Sequence, residues 1–425
     1  MRTRFLAALA LGSGLAAATA GAQAPQYTAP GGADRGDVRS KEEIEQAMED
    51  ARWRLGPVRL APWAGLRNVT YVDNVFGASE GGESDVTGTL GAGLTAYLPT
   101  GPKVFWVAQA LPEYVWWLDL EERRELVGRY GAGVYADLNR LRLAANATRV
   151  EEQAVVTSET EQLAFARRDE LSSAADLRLT GAFELFVSGR LTEVGDERAV
   201  GDDPRGAPVE LLHREERGVR GGLRYRSGRA LAVELGAEVA EVRFDAGGRD
   251  LSNRGTSPFV RIDLDGNDLE VDLEVVQRSM EPIDDSQLEP VDLTHGSLRL
   301  LLTPGWRFSV GPYGHRSTVY SLSAAYTHFT EERWGFQVAA PFKRLGAHAY
   351  VEGGRNDYAA PVGAADRTDD VTGWGIGLDV EVVEWLSYRI GFHRVEYDSN
   401  LPGFDREIDR VESTFNLGAA SWIWR

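Results

Sequence analysis

Serine and histidine residues in the last third of the chain are the first candidates for catalysis. Ser321, Ser323 and His328 share one short segment, and a serine hydrolase needs a serine nucleophile, a histidine base and an acidic or amide partner. The sequence contains neither a Gly-x-Ser-x-Gly nucleophile motif nor a His-Glu-x-x-His metal motif. Its six histidines share no ligand spacing, and cysteine is absent. These features predict a protein that is not an enzyme and that holds no cofactor.

Paired aspartates are the next candidates, because carboxylates bind Ca²⁺ and Mg²⁺. The pairs are Asp202 with Asp203, Asp284 with Asp285, and Asp369 with Asp370. The segment from Asp263 to Asp268 resembles part of a calcium loop, but it lacks the full spacing and the final glutamate of an EF-hand. A hairpin turn at Asp265-Gly266 explains it better. We therefore interpret the acidic pairs as solvated loops and predict no metal site.

The charge and hydropathy of the chain exclude several classes of protein. The formal net charge is −19, and loss of the first 22 residues, which hold two arginines and no acids, gives −19 − 2 = −21. So acidic a chain is a poor binder of nucleic acid. The mean hydropathy of −0.30 argues against a helical membrane bundle. It does not argue against a membrane β-barrel, in which every second residue faces lipid.

The N-terminal region has the features of an export signal followed by a leader. Residues 1–22 combine two arginines, an apolar run and small residues suited to cleavage, and we predict that they are a signal peptide. Residues 23–56 are predicted to be a periplasmic leader with one short helix. Ser40 and Glu43 form a capping box, and Ile44, Met48 and Ala51 share a face. The helix is interpreted either as a solvated leader helix or as a periplasmic plug or partner contact.

From residue 57 to residue 425 the apolar residues recur with a period of two. In the segment Leu269 to Val275, apolar residues alternate with Glu270, Asp272 and Glu274, which indicates β-strands with one apolar and one charged face. We expect the charged faces to line a water-filled interior. The candidate lining residues are Arg142, Arg178, Glu184, Arg190, Arg220, Arg224, Arg261, Asp263, Glu270, Asp272, Asp379 and Glu381. They either bias solute selectivity through their field or pair across strands and hydrate the wall.

Short turns and longer acidic loops alternate along this region, which is typical of an up-and-down antiparallel β-barrel in a membrane. The count is about 18 strands if His295 to Val310 forms one continuous strand, and 16 strands remain possible. Each strand with its connection has about 20 residues, enough for the roughly 9 to 11 that cross the hydrocarbon. Residues 57–425 are therefore predicted to form one all-β transmembrane barrel.

A soluble β-sandwich would show the same alternation, so other features must separate the two folds. A sheet of so many strands must close or split, and closure removes its edges. Tryptophans also collect near predicted strand ends, as in the aromatic girdles of membrane barrels. The girdle candidates are Trp63, Trp106, Trp116, Trp117, Trp306, Trp334, Trp385, Trp422 and Trp424. These features favour the membrane barrel.

Two segments resemble outer-membrane proteins more specifically. Phe415 to Arg425 is similar to the C-terminal assembly strand of such proteins, although Trp424 is penultimate and Arg425 is last. Pro62 to Phe76 contains Tyr71-Val-Asp-Asn-Val-Phe76 and resembles the opening of the outer-membrane β-barrel porin families. This resemblance implies an outer-membrane location and a meander of alternating strands.

The sequence thus predicts an outer-membrane porin-like channel that admits small hydrophilic solutes by diffusion and mildly favours cations. The expected partners are outer-membrane lipid and lipopolysaccharide, the barrel-assembly machinery through the last strand, and small hydrophilic solutes. The barrel is either monomeric or a homo-oligomer such as a trimer. Two alternatives remain open. One is a non-conducting outer-membrane barrel that serves as an adhesin, a scaffold or an exit for polysaccharide, and the other is a soluble secreted β-protein.

Overall fold

The structure of the protein is a computed structural model. It describes residues 41–417 apart from 76–82, 156, 160–162, 196–211, 229, 246–248, 285, 305–307, 324, 343, 360–364 and 384–385. The signal peptide predicted at residues 1–22 and the first part of the leader lie outside the described residues. No helix among the described residues is long and apolar enough to cross a membrane.

One helix, α1, and nineteen strands make up the regular structure of the described residues, together with a 3₁₀ helix at Glu121–Arg123. Helix α1 is Lys41–Asp50. The strands are β1 Trp53–Leu55, β2 Val58–Val72, β3 Asp85–Pro99, β4 Val104–Trp117, β5 Glu125–Asp137, β6 Leu141–Val155, β7 Leu163–Arg178, β8 Phe183–Gly195, β9 Arg214–Ser227, β10 Leu231–Phe244, β11 Asn253–Asp265, β12 Leu269–Pro282, β13 Val291–Leu302, β14 Ser309–Tyr320, β15 His328–Phe342, β16 Leu345–Tyr358, β17 Thr368–Val383, β18 Leu386–Ser399 and β19 Arg406–Leu417.

Strands β2 to β19 form a closed antiparallel ring. Each pairs with its neighbours in the chain, and β19 returns to pair with β2, as where Val411 lies opposite Tyr71. The predicted all-β, up-and-down antiparallel barrel is therefore confirmed. Closure removes the exposed edges that an open sheet of this size would carry.

The predicted strand count was slightly wrong. The described residues contain nineteen strands, of which eighteen, β2 to β19, form the ring and β1 is additional, so about 18 was close and 16 is too few. The short strand β1 lies in the segment that was predicted to be leader, and it pairs with the start of β2, as where Trp53 lies opposite Leu60. Its three residues are too few to show a period of two in the sequence, which is why the count missed it.

The single strand predicted from His295 to Val310 is also wrong. Strand β13 ends at Leu302, and β14 begins at Ser309. Pro304 stands between them and has no backbone N–H to donate to a neighbouring strand, so the ladder stops before it. The chain between Leu302 and Ser309 connects two strands that pair with each other.

The two ends of the barrel differ in their connections. At one end, here called the short-turn end, the turns include residues 100–103, 138–140 and 266–268. At the opposite end, here called the long-loop end, longer stretches of chain join β2 to β3, β6 to β7, β8 to β9 and β16 to β17. Membrane barrels of bacteria keep tight turns on the periplasmic side and longer loops outside, so the ends have the expected asymmetry.

Helix α1 packs on the barrel at the short-turn end. Ile44 is buried together with Tyr97, Phe105 and Tyr135 of β3, β4 and β5. The interpretation of α1 as a wholly solvated leader helix is therefore wrong. One apolar face of the helix covers apolar wall residues that would otherwise meet water.

Candidate functional site

The contact between Arg220 and Glu274 identifies the interior face of the barrel. Arg220 lies on β9 and Glu274 on β12, yet Nη1 of Arg220 is 2.9 Å from Oε1 of Glu274. Two strands separate these positions, and in a closed sheet side chains converge over such a distance only on the concave side. The preceding residue of β9, Val219, is 56% exposed on the opposite face. We infer that the charged face of these strands is the interior.

An arginine–carboxylate cluster covers the interior face of β6 to β10 near the short-turn end. Nη2 of Arg142 lies 3.0 Å from Oδ2 of Asp176 and 2.9 Å from Oε2 of Glu184. Nε of Arg224 lies 2.5 Å from Oε1 of Glu234, and its Nη1 lies 3.3 Å from Asp176. We call these five residues the interior ion cluster.

The strand register builds this cluster. Arg224 of β9 is directly opposite Glu184 on one side and Glu234 on the other, and Arg142 of β6 is opposite Asp176 of β7. Opposite charges at directly facing positions stabilise a sheet, and here the row continues over five strands. Alternating spacing in each strand predicts the face, but only the register brings the partners together.

The other predicted lining residues are also mostly paired. Arg261 lies 3.3 Å from Asp263 and 3.6 Å from Asp272, and Glu270 lies 3.3 Å from Arg299. Asp379 accepts hydrogen bonds from Arg389 and from Nδ1 of His348. Arg178 is half exposed and lies 3.6 Å from Glu184. Arg190 faces Ser172 and Gly218 across its neighbouring strands, and Glu381 is an exposed residue opposite Ser387.

The tryptophans predicted to form a girdle occupy both faces. Trp106 and Trp116 lie on the exposed outer face of β4, ten residues apart, which is about 33 Å along a strand. Trp334 is exposed on β15. Trp63 and Trp117 are buried instead, so their assignment to the girdle is wrong. The remaining candidates, Trp306, Trp385, Trp422 and Trp424, lie outside the described residues.

Side chains alternate between the two faces of a strand, which explains why Trp63 and Trp117 do not lie on the outer face. Trp117 follows Trp116 directly, so its side chain lies on the opposite face, where it packs with Val115, Val127 and Phe165. Trp63 is buried on β2, and its ring occupies the space that a Cβ atom on Gly65 or Gly91 would enter. Clustering near a strand end was the signal used for both residues, and it carries no information about the face.

The connection between β6 and β7 crosses to the opposite wall, which the sequence did not reveal. Ser158 Oγ donates a hydrogen bond of 2.5 Å to Oε2 of Glu331 on β15. Arg406 of β19 donates to the backbone oxygen of Ser158 at 2.7 Å. Strand β15 lies opposite β6 in the ring, and β19 is five strands away from β6. We call residues Thr157, Ser158 and Glu159, all of them buried, the crossing tip.

Glu159 anchors this tip to the connection between β14 and β15. Ser321 Oγ donates to both carboxylate oxygens at 2.9 Å, and the backbone N–H of Leu322 donates to Oε2 at 2.6 Å. Burial raises the pKa of Glu159 above its ordinary value of 4.5, although the Arg367 guanidinium, 3.5 Å away, opposes that shift. The tip is thus fixed by polar contacts inside the long-loop end.

An apolar cluster at the long-loop end includes Leu322, whose backbone N–H binds Glu159 of the crossing tip. Phe244, Tyr320, Leu322 and Phe329 are buried together with residues of the neighbouring loops at the long-loop end. Arg249 donates to the backbone oxygens of Ser321 and Ser323 at 3.0 and 2.8 Å, and burial lowers its pKa. This end of the interior is therefore narrowed by ordered loop residues.

The candidate catalytic residues do not form a triad in the structure. Ser321 donates to Glu159, whereas Nδ1 of His328 is 3.0 Å from the hydroxyl of Thr327. In the part of the chain that the structure describes, no group of three or more histidine, aspartate or glutamate residues is arranged to hold a metal ion.

Comparison with known proteins gives matches among solved structures. No protein-family model and no curated protein matches the chain. The Pseudomonas aeruginosa porin OccK2 (OpdF), solved with glucuronate, is 10% identical with a TM-score of 0.53, covering 87% of this chain and all of that one. A BenF-like porin from Pseudomonas fluorescens Pf-5 is 10% identical with a TM-score of 0.52, covering 84% and 98%. Pseudomonas aeruginosa OpdK with vanillate is 12% identical with a TM-score of 0.51, covering 84% and 98%.

These neighbours are outer-membrane channels and not enzymes. The identities are low, so the likeness concerns the fold. The chain therefore has the closed β-barrel fold of outer-membrane porins, as its sequence predicted.

Proposed function

We propose that this protein is an outer-membrane channel through which small hydrophilic solutes diffuse. The observation that carries the proposal is the contrast between the two faces of the ring. Arginines and carboxylates cover the interior of β6 to β10, while apolar side chains cover the outside of the same strands. A wall of charged groups stays hydrated, and the barrel fold shared with porins is wide enough for an aqueous interior.

The outer face fits the thickness of a membrane. On β10 the outward residues Leu231, Val233, Leu235, Ala237 and Val239 are apolar, and Glu241 is the first charged one after them toward the long-loop end. This apolar segment spans nine residues, which agrees with the roughly 9 to 11 residues that a tilted strand needs to cross the hydrocarbon. The long-loop end would then face the exterior.

The crossing tip limits the size of the solutes. It lies inside the long-loop end and reaches from β6 and β7 to residues of β15 and β19. A solute entering from that end must pass between this tip and the remaining wall. The channel is therefore suited to small molecules and not to folded proteins.

Selectivity follows from the balance of charge along this route. Arg142 and Arg224 of the interior ion cluster are matched by Asp176, Glu184 and Glu234, so the cluster adds little positive field. The chain as a whole is strongly acidic, with a net charge of −19. These features support a mild preference for cations. Carboxylated solutes such as glucuronate and vanillate, found with two of the neighbours, are the informative comparison.

Planar-bilayer recording of the refolded protein tests the proposal. We expect discrete conductance steps in KCl and a reversal potential of the sign for cation preference under a salt gradient. Liposome swelling with a neutral sugar, glucuronate and vanillate would then rank the solutes. Anion preference would overturn only the selectivity. A folded barrel that inserts but never conducts would favour the adhesin, scaffold or export role.

Stability without detergent separates the last alternative. A membrane barrel should need detergent or lipid to stay dispersed, and its folded form should migrate differently from the heated form on a gel. If the chain were compact and monodisperse in plain buffer, the outer apolar face could not be in contact with lipid, and the channel would be excluded.

A further inference from the structure

Helix α1 presents two chemically different faces. Ile44, Ala47, Met48 and Ala51 follow the spacing of one helical face and pack into a single apolar cluster. Ile44 is only 2% exposed. The opposite face carries four exposed polar residues, Glu45, Gln46, Glu49 and Asp50. Within this face, Nε2 of Gln46 donates a hydrogen bond of 3.1 Å to Oδ1 of Asp50.

The wall beneath the helix is apolar, unlike the wall beside it. Ala61, Tyr97, Phe105, Tyr135 and Ala144 belong to the same buried cluster as Ile44. They come from β2 to β6 and all lie toward the short-turn end. Phe105 is on the interior face, because its neighbour Trp106 is exposed on the outer one. The helix therefore lies inside the barrel mouth.

This arrangement explains why the interior has two kinds of lining. From β6 to β10 the wall carries the interior ion cluster, which needs water or partners. From β2 to β6 the wall near the same mouth carries the aromatic and small apolar residues of this cluster, with Arg59 opposite Tyr97, and the apolar residues would be unfavourable in a wet pore. The helix covers that apolar sector and leaves the charged sector open.

We propose that α1 is a fixed part of the channel wall, which narrows the short-turn mouth and places Glu49 and Asp50 beside the permeating ions. The inference rests on the proposed channel function. The acidic face of α1 points away from the wall and therefore toward the open part of the lumen. Negative charge at a mouth attracts cations and repels anions. The helix thus contributes to selectivity as well as to pore width.

Thiol labelling tests the position of the helix without requiring conduction. The chain has no cysteine, so the single variants Ile44→Cys and Glu49→Cys each provide one reactive site. A cationic methanethiosulfonate reagent should modify Glu49→Cys readily and Ile44→Cys at least about tenfold more slowly, because reaction at the buried site requires local opening. Equal rates in the folded, heat-modifiable barrel would overturn the docking of the helix.

Ion selectivity tests the role of the acidic face. The double variant Glu49→Gln with Asp50→Asn removes two carboxylates from the mouth, and its reversal potential should shift toward anions. The matched control, Glu241→Gln with Glu332→Gln, removes two carboxylates from the outer surface and should leave the reversal potential unchanged. Equal reversal potentials for the helix variant and the wild type would overturn this role.

Release of the helix tests the narrowing of the mouth. Ile44→Asp places a charge in the apolar cluster, so the helix should leave the wall and the single-channel conductance should rise. The gel mobility shift on heating verifies that the barrel of this variant has folded. Met48 packs against the apolar cluster, so Met48→Cys should be labelled slowly while the helix is docked and fast once Ile44→Asp has released it. An unchanged conductance, combined with fast labelling of Met48→Cys in the Ile44→Asp background, would show that the helix does not narrow the pore. A wild-type barrel that never conducts would instead refute the proposed function, while the labelling rates would still locate the helix.

Discussion

Ser158 and Glu331 are 173 residues apart in the chain, and the Ser158 hydroxyl donates a hydrogen bond of 2.5 Å to the Glu331 carboxylate. Ser158 lies in the connection between β6 and β7, and Glu331 lies on β15. Such a contact requires a loop that passes through the interior of the ring. It identifies the crossing tip as a segment that narrows the long-loop end of the barrel.

The anchor of the crossing tip should control conductance. Glu159→Ala removes the acceptor for Ser321 Oγ and for the N–H of Leu322. A hydrogen bond to a charged group stabilises a contact by about 1.5–3 kcal/mol, and the docked tip loses this stabilisation. The tip should leave the opposite wall, and single-channel conductance should increase. Glu159→Gln keeps an oxygen acceptor and should stay close to the wild type. A larger conductance for Gln than for Ala would contradict this anchoring.

Docking of the tip should depend on pH. Burial raises the pKa of Glu159 above 4.5 when the crossing tip is docked. The docked tip therefore binds a proton on the Glu159 carboxylate more tightly than the undocked tip does. The resulting stabilisation is fully present below about pH 4.5 and is lost as the pH rises through the raised pKa. Conductance of the wild type should therefore fall on acidification toward pH 4.5. In Glu159→Gln this pH-dependent fall in conductance should be absent. An identical dependence of conductance on pH in both proteins would refute the role of Glu159 protonation.

Loss of Arg224 should destabilise the barrel. Its side chain is only 3% exposed and contacts Asp176, Glu184 and Glu234. Arg224→Gln leaves these carboxylates without that cation, and breaking a buried ion pair in this way costs about 3–5 kcal/mol. The urea midpoint of unfolding in detergent micelles should fall accordingly. Arg178→Gln is the control, since Arg178 is half exposed and lies 3.6 Å from Glu184, and its midpoint should change little.

A charge on the outer face should be costly only if that face meets lipid. Leu235 is 53% exposed and lies at the middle of the apolar segment of β10. Leu235→Arg should reduce the free energy of unfolding in lipid vesicles by about 2–4 kcal/mol, the cost of arginine near the bilayer midplane. Thr148→Arg, on the interior face of β6, should be tolerated. Equal costs for the two variants would mean that the faces have been assigned incorrectly.

The alternation of residue types was enough to predict the strands and the barrel. A period of two forces apolar residues such as Leu235 and Val239 onto one face and Glu234 and Glu238 onto the other, whatever the neighbouring strands do. The short and long connections then define two ends. These are local properties, so they can be read from the order of the residues.

Predictions of individual strands and of the face on which a tryptophan lies were wrong where the sequence signal was too short or ambiguous. Strand β1 has three residues, and the interruption at Pro304 was taken to lie within a strand in order to keep short and long connections alternating. Trp116 and Trp117 are neighbours of the same type, and the sequence analysis assigned both to the girdle, although adjacent residues of a strand must face opposite sides.

The sequence by itself determined which residues share a face of each strand, because that depends only on the geometry of an extended backbone. The tertiary structure decided which residues meet across strands and across the lumen. Arg224 finds Glu234 through the register, Ser158 reaches Glu331 through a loop that turns inward, and Ile44 settles against Phe105 because closure brings an apolar wall within its reach. Arg224 and Glu234 lie on neighbouring strands and need only the β9–β10 register, whereas Ser158 and Glu331 are 173 residues apart, and their distance is fixed only when β19 pairs with β2 and closes the ring.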